Sequence, residues 1–245
     1  MYDEAFRIRS NADGLQLQVY RWTSPQPLGV LVLAHGMAEH ALRYDRFARA
    51  LTGAGFEVYA LDHRGHGGSP GPAGLGDFGS AGWSALVADL GQLVAHVRAQ
   101  HPDLRLALFG HSMGSFAAQQ LCYASSSALD ALLLSGSTAL EVSGKRKRLS
   151  LEPNSEFEPA RTPYDWLSRD PVEVDNYIAD PLCGFEAQTG RNQGSRIDWK
   201  QINAPDGPAG IRSDLPVLLL AGHDDPLNRK LEGLRLLEQR WRDAG

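Results

Sequence analysis

Apolar runs of strand length, alternating with stretches of helical periodicity, constrain this chain more than any other feature. "LGVLVLA" (28–34) is a continuous apolar run, and "PVLLLAG" (216–222) returns to the same pattern. Strands apolar on both faces predict burial inside a sheet that helices cover on each side. "LQLQVYRW" (15–22) alternates with period two, and "FEVYALD" (56–62), "LRLALFG" (104–110) and "ALLLSG" (131–136) read as further strands. Helical patterns lie between them, at 44–55, at 113–124, and from Trp83 through Leu86, Val87, Leu90, Val94 and Val97. A last one covers 228–243, with Leu231, Leu234, Leu237 and Trp241 on one face. Strand and helix in alternation predict an α/β fold, a mostly parallel sheet with helices on both faces. Between 140 and 210 the alternation gives way to prolines, charges and short aromatic groups, which reads as a cap inserted into the core. The expected organisation is therefore a core over 1–139, a cap over 140–210 and the second part of the core over 211–245.

Charge and targeting signals narrow the classes of function. With 24 Lys and Arg against 29 Asp and Glu the net charge is −5, which disfavours nucleic acid as the partner. The one basic run, "KRKR" (145–148), reads as a solvated face. "MYDEAFRIRSNADG" is acidic where a secretion signal is basic, and no apolar run approaches the ~20 residues that span a bilayer. These features predict a soluble cytoplasmic protein. Cys122 and Cys183 form no metal-ligand or redox pair motif, and Cys122, inside a helical stretch, is expected as a buried free thiol.

"GHSMG" (110–114) fits G-x-S-x-G directly after a strand and before a helix, the context in which the motif is a nucleophile elbow. Its glycines leave room for so sharp a turn, which holds Ser112 strained and exposed above the sheet. An activated serine also needs an oxyanion hole, two backbone N–H groups aimed at the tetrahedral intermediate. One is expected from Met113, the residue after the serine, and the other from Met37 in "LAHGMAEH" (33–40), although "HG" also suits a plain turn. In "AGHDDP" (221–226), Asp224 and Asp225 fit a carboxylate that orients a histidine and equally fit ordinary turn or N-cap positions.

Three stretches, "HGMAEHALRYDRFARAL", "VYALDHRGHGGSPG" and "FGHSMGS", together with "GHDDP", resemble the α/β-hydrolases of the monoacylglycerol lipase, lysophospholipase and serine aminopeptidase S33 group. The resemblance is dense over 28–140, returns at 214–243 and is thin between. It implies that Ser112 is the nucleophile, Asp225 (three residues after Gly222) the acid, and the amides of Met37 and Met113 the oxyanion hole. It gives His63 and His66 structural roles. It implies a serine esterase or lipase acting on small acyl esters or monoacylglycerol-like lipids, with transient contact to a lipid surface, no cofactor and no metal. An aminopeptidase of the same fold and a non-catalytic binding protein are the alternatives.

In this fold the triad runs serine, acid, histidine. The eight histidines are His35, His40, His63, His66, His96, His101, His111 and His223, and none follows Asp225. His111 belongs to the elbow, His35 to the oxyanion loop, and His223 is too close to Asp225 on one strand end to bridge it to Ser112. The resemblance therefore implies a triad without its base in these residues, as in a truncated hydrolase or an impaired relative, with a final strand and helix missing. "EAQTGRNQGSRIDWKQINAPDGPAG" (186–210) adds a second departure, since only Ile197, Trp199 and Ile202 offer it an apolar face.

Overall fold

The computed structural model describes residues 2–139, 153–188 and 196–245. "KRKR" and part of the expected cap lie outside them. In chain order the strands are β1 (Glu4–Arg9), β2 (Gln16–Trp22), β3 (Gly29–Ala34), β4 (Phe56–Leu61), β5 (Arg105–His111), β6 (Ala131–Ser135) and β7 (Val217–Leu220). The helices are α1 (Asp45–Gly53), α2 (Gly82–Gln100), α3 (Met113–Ser125), α4 (Pro171–Ala179), α5 (Trp199–Ile202) and α6 (Glu232–Asp243). One sheet runs β1-β2-β4-β3-β5-β6-β7, antiparallel at β1/β2 and β2/β4 and parallel from there on. This is the α/β-hydrolase arrangement. Among the described residues no helix is long and apolar enough to cross a membrane.

Helices on both faces explain why the central strands are apolar throughout: every residue of β3 is buried. One core cluster joins that sheet face to α2 and α3 through Val30, Val32, Leu86, Leu90, Leu108 and Phe116. The other face packs Leu31, Leu33, Val58 and Phe109 against Ala48 of α1. Cys122 is fully buried in α3 as a free thiol, as expected, and burial pushes it up to about 12.

One strand was not anticipated and one helix boundary needs correction. No strand is read from the sequence at 4–9, where "EAFRIR" carries three charges; pairing along β2 makes it a strand with Phe6 and Ile8 packed on the core. The last helix begins at Glu232 and not at 228, because Arg229, Lys230 and Leu231 take φ of 44°, 57° and 72°, the left-handed region that no helix uses. The Asn228 amide donates to Asp225 Oδ2 at 2.8 Å, and the Gly233 N–H to the Asn228 carbonyl at 3.2 Å, which holds this turn closed.

The run 216–222 is apolar like β3 and lies at an edge, as the resemblance led one to expect. Among the described residues β7 pairs only with β6, and Val217, Leu218 and Leu220 are 39%, 47% and 45% exposed. A groove of about 680 Å³ runs beside it, lined by Val217, Leu219, Leu234 and Trp241 among others. Natural edge strands are guarded by lysine, proline or a bulge, and β7 has none within its length. The 245-residue chain studied by itself is therefore expected to self-associate through β7 or to melt without cooperativity. Size-exclusion chromatography over a concentration series, with thermal melting, checks this; Leu218→Lys should restore a monomer. A wild-type chain that stays monomeric and melts cooperatively would show that this edge is harmless.

Candidate active site

The elbow forms where β5 ends and α3 begins. Ser112 stands between them with φ 48° and ψ −118°, a conformation that costs a non-glycine residue roughly 1–3 kcal/mol. The close approach of neighbouring backbone explains both glycines. A Cβ on Gly114 would lie 2.2 Å from the Ala34 carbonyl oxygen, and one on Gly110 would lie 2.6 Å from the Gly114 carbonyl oxygen. The strain is held from two sides. The Ser112 N–H donates to the Ser135 carbonyl at 2.9 Å, and the Ser115 hydroxyl donates to the Ser112 carbonyl at 2.6 Å. Ser137 Oγ, 2.8 Å from Ser115 Oγ, also accepts from Gln119 Nε2 at 2.8 Å. Sequence reasoning missed this buried group, in which Ser137 from beyond β6 meets Ser115 and Gln119 of α3.

The loop after β3 lies directly against the serine: a Cβ on Gly36 would be 3.3 Å from Ser112 Cβ. Its peptides are aimed by buried groups. His35 Nε2 accepts from the His63 N–H at 3.0 Å, so Nδ1 carries the ring proton and donates to the Gly36 carbonyl at 2.8 Å. Since N–H and C=O of a trans peptide point in opposite directions, the Met37 N–H is turned away from His35. The Gly36 N–H is taken by Glu39 Oε1 at 2.6 Å. Among the described residues no hydrogen bond takes up the N–H of Met37 or Met113. Glu39 is a second residue that sequence reasoning missed. Buried to 7% exposure, it also accepts from Tyr44 Oη at 2.7 Å and Arg43 Nη1 at 2.8 Å. Burial, then the Glu39 charge, holds the Tyr44 phenol well above its usual range, so it stays a donor.

The "DHRGHGGS" loop braces this region. Asp62 accepts from the Ala41 and Gly68 N–H groups at 2.8 and 2.7 Å, and burial raises its carboxyl above the usual range. His35, His63 and His66 are fully buried with ring centroids 4.5–6.4 Å apart. Burial lowers all three: His35 well below its usual value, His63 to about 3 and His66 to about 4. These rings are neutral when folded, whereas in the unfolded chain they take protons below about pH 6.5. The unfolded state then binds more protons, so stability is lost as pH falls from about 6.5 toward 4, by up to ~1.4 kcal/mol per pH unit for each ring. Urea titrations at several pH values are expected to show this slope, shallower in His63→Asn. An unchanged slope in that variant would mean that His63 charges within the fold.

The carboxyl end of the sheet carries Ser112 and Asp225 together. β5, β6 and β7 are parallel neighbours, and Ser112, Gly136 and Asp225 follow them in turn. Asp225 Oδ2 lies 3.9 Å, and the His111 ring 3.2 Å, from where a Gly136 Cβ would be. Asp225 accepts from the Leu227 N–H and the Asn228 amide at 2.9 and 2.8 Å, whereas Asp224 turns outward to Arg169 and to His223, 2.8 Å away. Among the described residues no hydrogen bond reaches the Ser112 hydroxyl. Each histidine is engaged elsewhere or left without a ring partner: His40 with Asp180, His96 with Gln100, His101 with Tyr59, His111 with Ser135 and His223 with Asp224.

Known proteins resemble this chain in sequence and in fold. The family model described as serine aminopeptidase, S33, matches residues 25–241. A monoacylglycerol lipase of Mycolicibacterium smegmatis is 37% identical over 179 residues, which are 69% of this chain and 61% of that lipase, less than two thirds of its length. A monoglyceride lipase of Mus musculus is 34% identical over 229 residues, covering 89% of this chain and 72% of the mouse protein. A thermostable carboxyl esterase from Bacillus coagulans superposes with a TM-score of 0.86 at 26% identity, covering 100% of this chain and 87% of its own. A family match over nearly the whole chain, on a sheet of this order, carries the conclusion that the chain belongs to the serine aminopeptidase S33 family of α/β-hydrolases.

Proposed function

We propose that this chain is built to cleave carboxylic esters, monoacylglycerol-like or small acyl esters, at Ser112. The observation that carries the reading is the strained serine at φ 48° set against Gly36, with no hydrogen bond among the described residues on the amides of Met37 and Met113. Ser112 Oγ attacks the ester carbonyl and the two N–H groups take the developing oxyanion. The C–O bond to the alcohol then breaks, and water releases the acid from the acyl-enzyme. Asp225 is the acid of the triad, placed to orient an imidazole that none of the eight histidines supplies at the Ser112 hydroxyl. The division into core over 1–139, cap over 140–210 and core over 211–245 belongs to this reading. Exposed Leu167, Val172 and Ile178 in or beside α4 suit transient contact with a lipid surface. The three larger apolar residues of 186–210 serve the core instead: Ile197 packs against it, the Trp199 ring is tilted against Phe116 with centroids 4.7 Å apart, and Ile202 is buried.

A non-catalytic binding protein is the second reading, favoured by the absence of a histidine on Ser112. A fluorophosphonate probe with mass spectrometry separates the two: labelling at Ser112 supports the hydrolase and no labelling the binder. A panel of monoacylglycerols, p-nitrophenyl esters and aminoacyl amides then reads the substrate, and turnover of the amides alone would replace the esterase reading by a peptidase.

A further inference from the structure

The fold joins three side chains that no spacing motif links. His40 ends the loop that carries Met37, while Asp180 and Cys183 follow α4, some 140 residues on. His40 Nε2 is 2.8 Å from Asp180 Oδ2, and the ligand atoms of His40, Asp180 and Cys183 all lie within 4.8 Å of one another. We propose that these three side chains bind a divalent zinc-type cation and that the ion clamps residues 180–183 onto the oxyanion loop.

The chemistry of the set supports this occupant. Imidazole nitrogen, carboxylate oxygen and thiolate sulfur together suit zinc, while a hard cation such as calcium or magnesium takes oxygen ligands alone. Zinc bonds of about 2.0–2.3 Å in tetrahedral geometry set ligand atoms roughly 3.3–3.7 Å apart. From 2.8 Å, His40 and Asp180 need to part by about half an ångström, and Cys183, within 4.8 Å of both, needs to close by about one at most. A fourth position stays open for water. Access is one-sided: the His40 side chain is 8% exposed, Asp180 28% and Cys183 half-buried, so an ion enters from the 180–183 side. His40 and Asp180 also make a good hydrogen bond without metal, so the thiol is the group whose engagement distinguishes a metal site from a plain pair.

The backbone around the cluster is already held for a clamp. The Ala38 carbonyl accepts from Tyr177 Oη at 2.9 Å and from the Gly184 N–H at 3.0 Å, and Ala38 itself has φ 54°. Both bonds span the same two segments that the ion would bridge, on either side of Asp180 and Cys183. An ion there adds a third cross-link to a loop whose other end is fixed by Glu39 and His35.

Cobalt(II) titration of the reduced, metal-free protein tests the proposal, because only a cobalt-bound thiolate gives an intense near-ultraviolet charge-transfer band. The expected result is a band that saturates at one cobalt per chain, is displaced by zinc, and persists in Cys122→Ser. Cys183→Ser should abolish it. Asp180→Asn should weaken binding by more than the roughly 10–100-fold that losing an outer partner of a metal costs. Circular dichroism and melting confirm that each variant folds. If Cys183→Ser does not fold, protection of Cys183 from iodoacetamide by zinc in the wild type, read by mass spectrometry, takes its place. No band at millimolar cobalt, a band that survives Cys183→Ser, or alkylation of Cys183 unaffected by zinc would each overturn the proposal.

Discussion

Ser112→Ala is expected to abolish any ester hydrolysis and any fluorophosphonate labelling by a protein containing this chain. Removing the nucleophile of a serine hydrolase costs on the order of 10⁶-fold in kcat. What remains is the ~10³–10⁴ over water that the oxyanion hole and binding supply. The fold should tolerate the change without gaining stability, because φ 48° still strains any residue with a Cβ. Thermal melting within a few degrees of wild type, with turnover lost, is the expected pair of results. Turnover that survives would put the nucleophile elsewhere. Lost melting cooperativity would mean that the hydroxyl holds the elbow, which the contacts of Ser112 with Ser135 and Ser115, all through its backbone, argue against.

The second large effect concerns the 245 residues themselves. They are expected to hydrolyse esters at only the residual rate, ~10³–10⁴ over water, that an oxyanion hole gives without a base. The reason is geometric. His35, His63 and His66 are buried and neutral, His40 is paired with Asp180, and His96 and His101 bond to Gln100 and Tyr59. His223 is bonded to Asp224. Only His111 adjoins the serine in sequence, and its Nδ1 lies 3.1 Å from Ser135 Oγ, on the β6 side. Steady-state kinetics with a p-nitrophenyl ester on the purified chain is the measurement. Ordinary enzymatic rates would show that one of these rings reaches Ser112, and His111→Asn would then identify the first suspect by the loss of that rate.

Much of this fold was legible because burial writes itself into local pattern. The apolar runs at 28–34 and 104–110 became central strands β3 and β5, and the 3.6-residue period from Trp83 became α2. "GHSMG" placed Ser112, because glycine is required wherever a Cβ would meet backbone within about 2.2–2.6 Å. Where contacts from distant segments set the outcome, local pattern said less. "EAFRIR" alternates over only four residues, Phe6 to Arg9, and becomes a strand because β2 supplies its hydrogen bonds. "PVLLLAG" is as apolar as β3, and only the resemblance set it at an edge, because hydropathy reports what a residue is and not whether a neighbour covers it.

For the candidate site the same division holds. The residues that the proposed reading uses at fixed spacing, Ser112 and the amides of Met37 and Met113, stand out in the sequence by motif. The residues that aim them do not. Glu39 reaches back three positions to the Gly36 N–H, and its worth depends on being buried beside Tyr44 and Arg43. Ser137 meets Ser115 only because β6 lies next to β5, and Cys183 meets His40 only because the chain returns across the oxyanion loop. A sequence determines the local propensities and the chemical identity of each group. Which groups share one low-dielectric space, and so which hydrogen bonds, titrations and ligand sets exist, is decided when long-range packing brings them within a few ångströms.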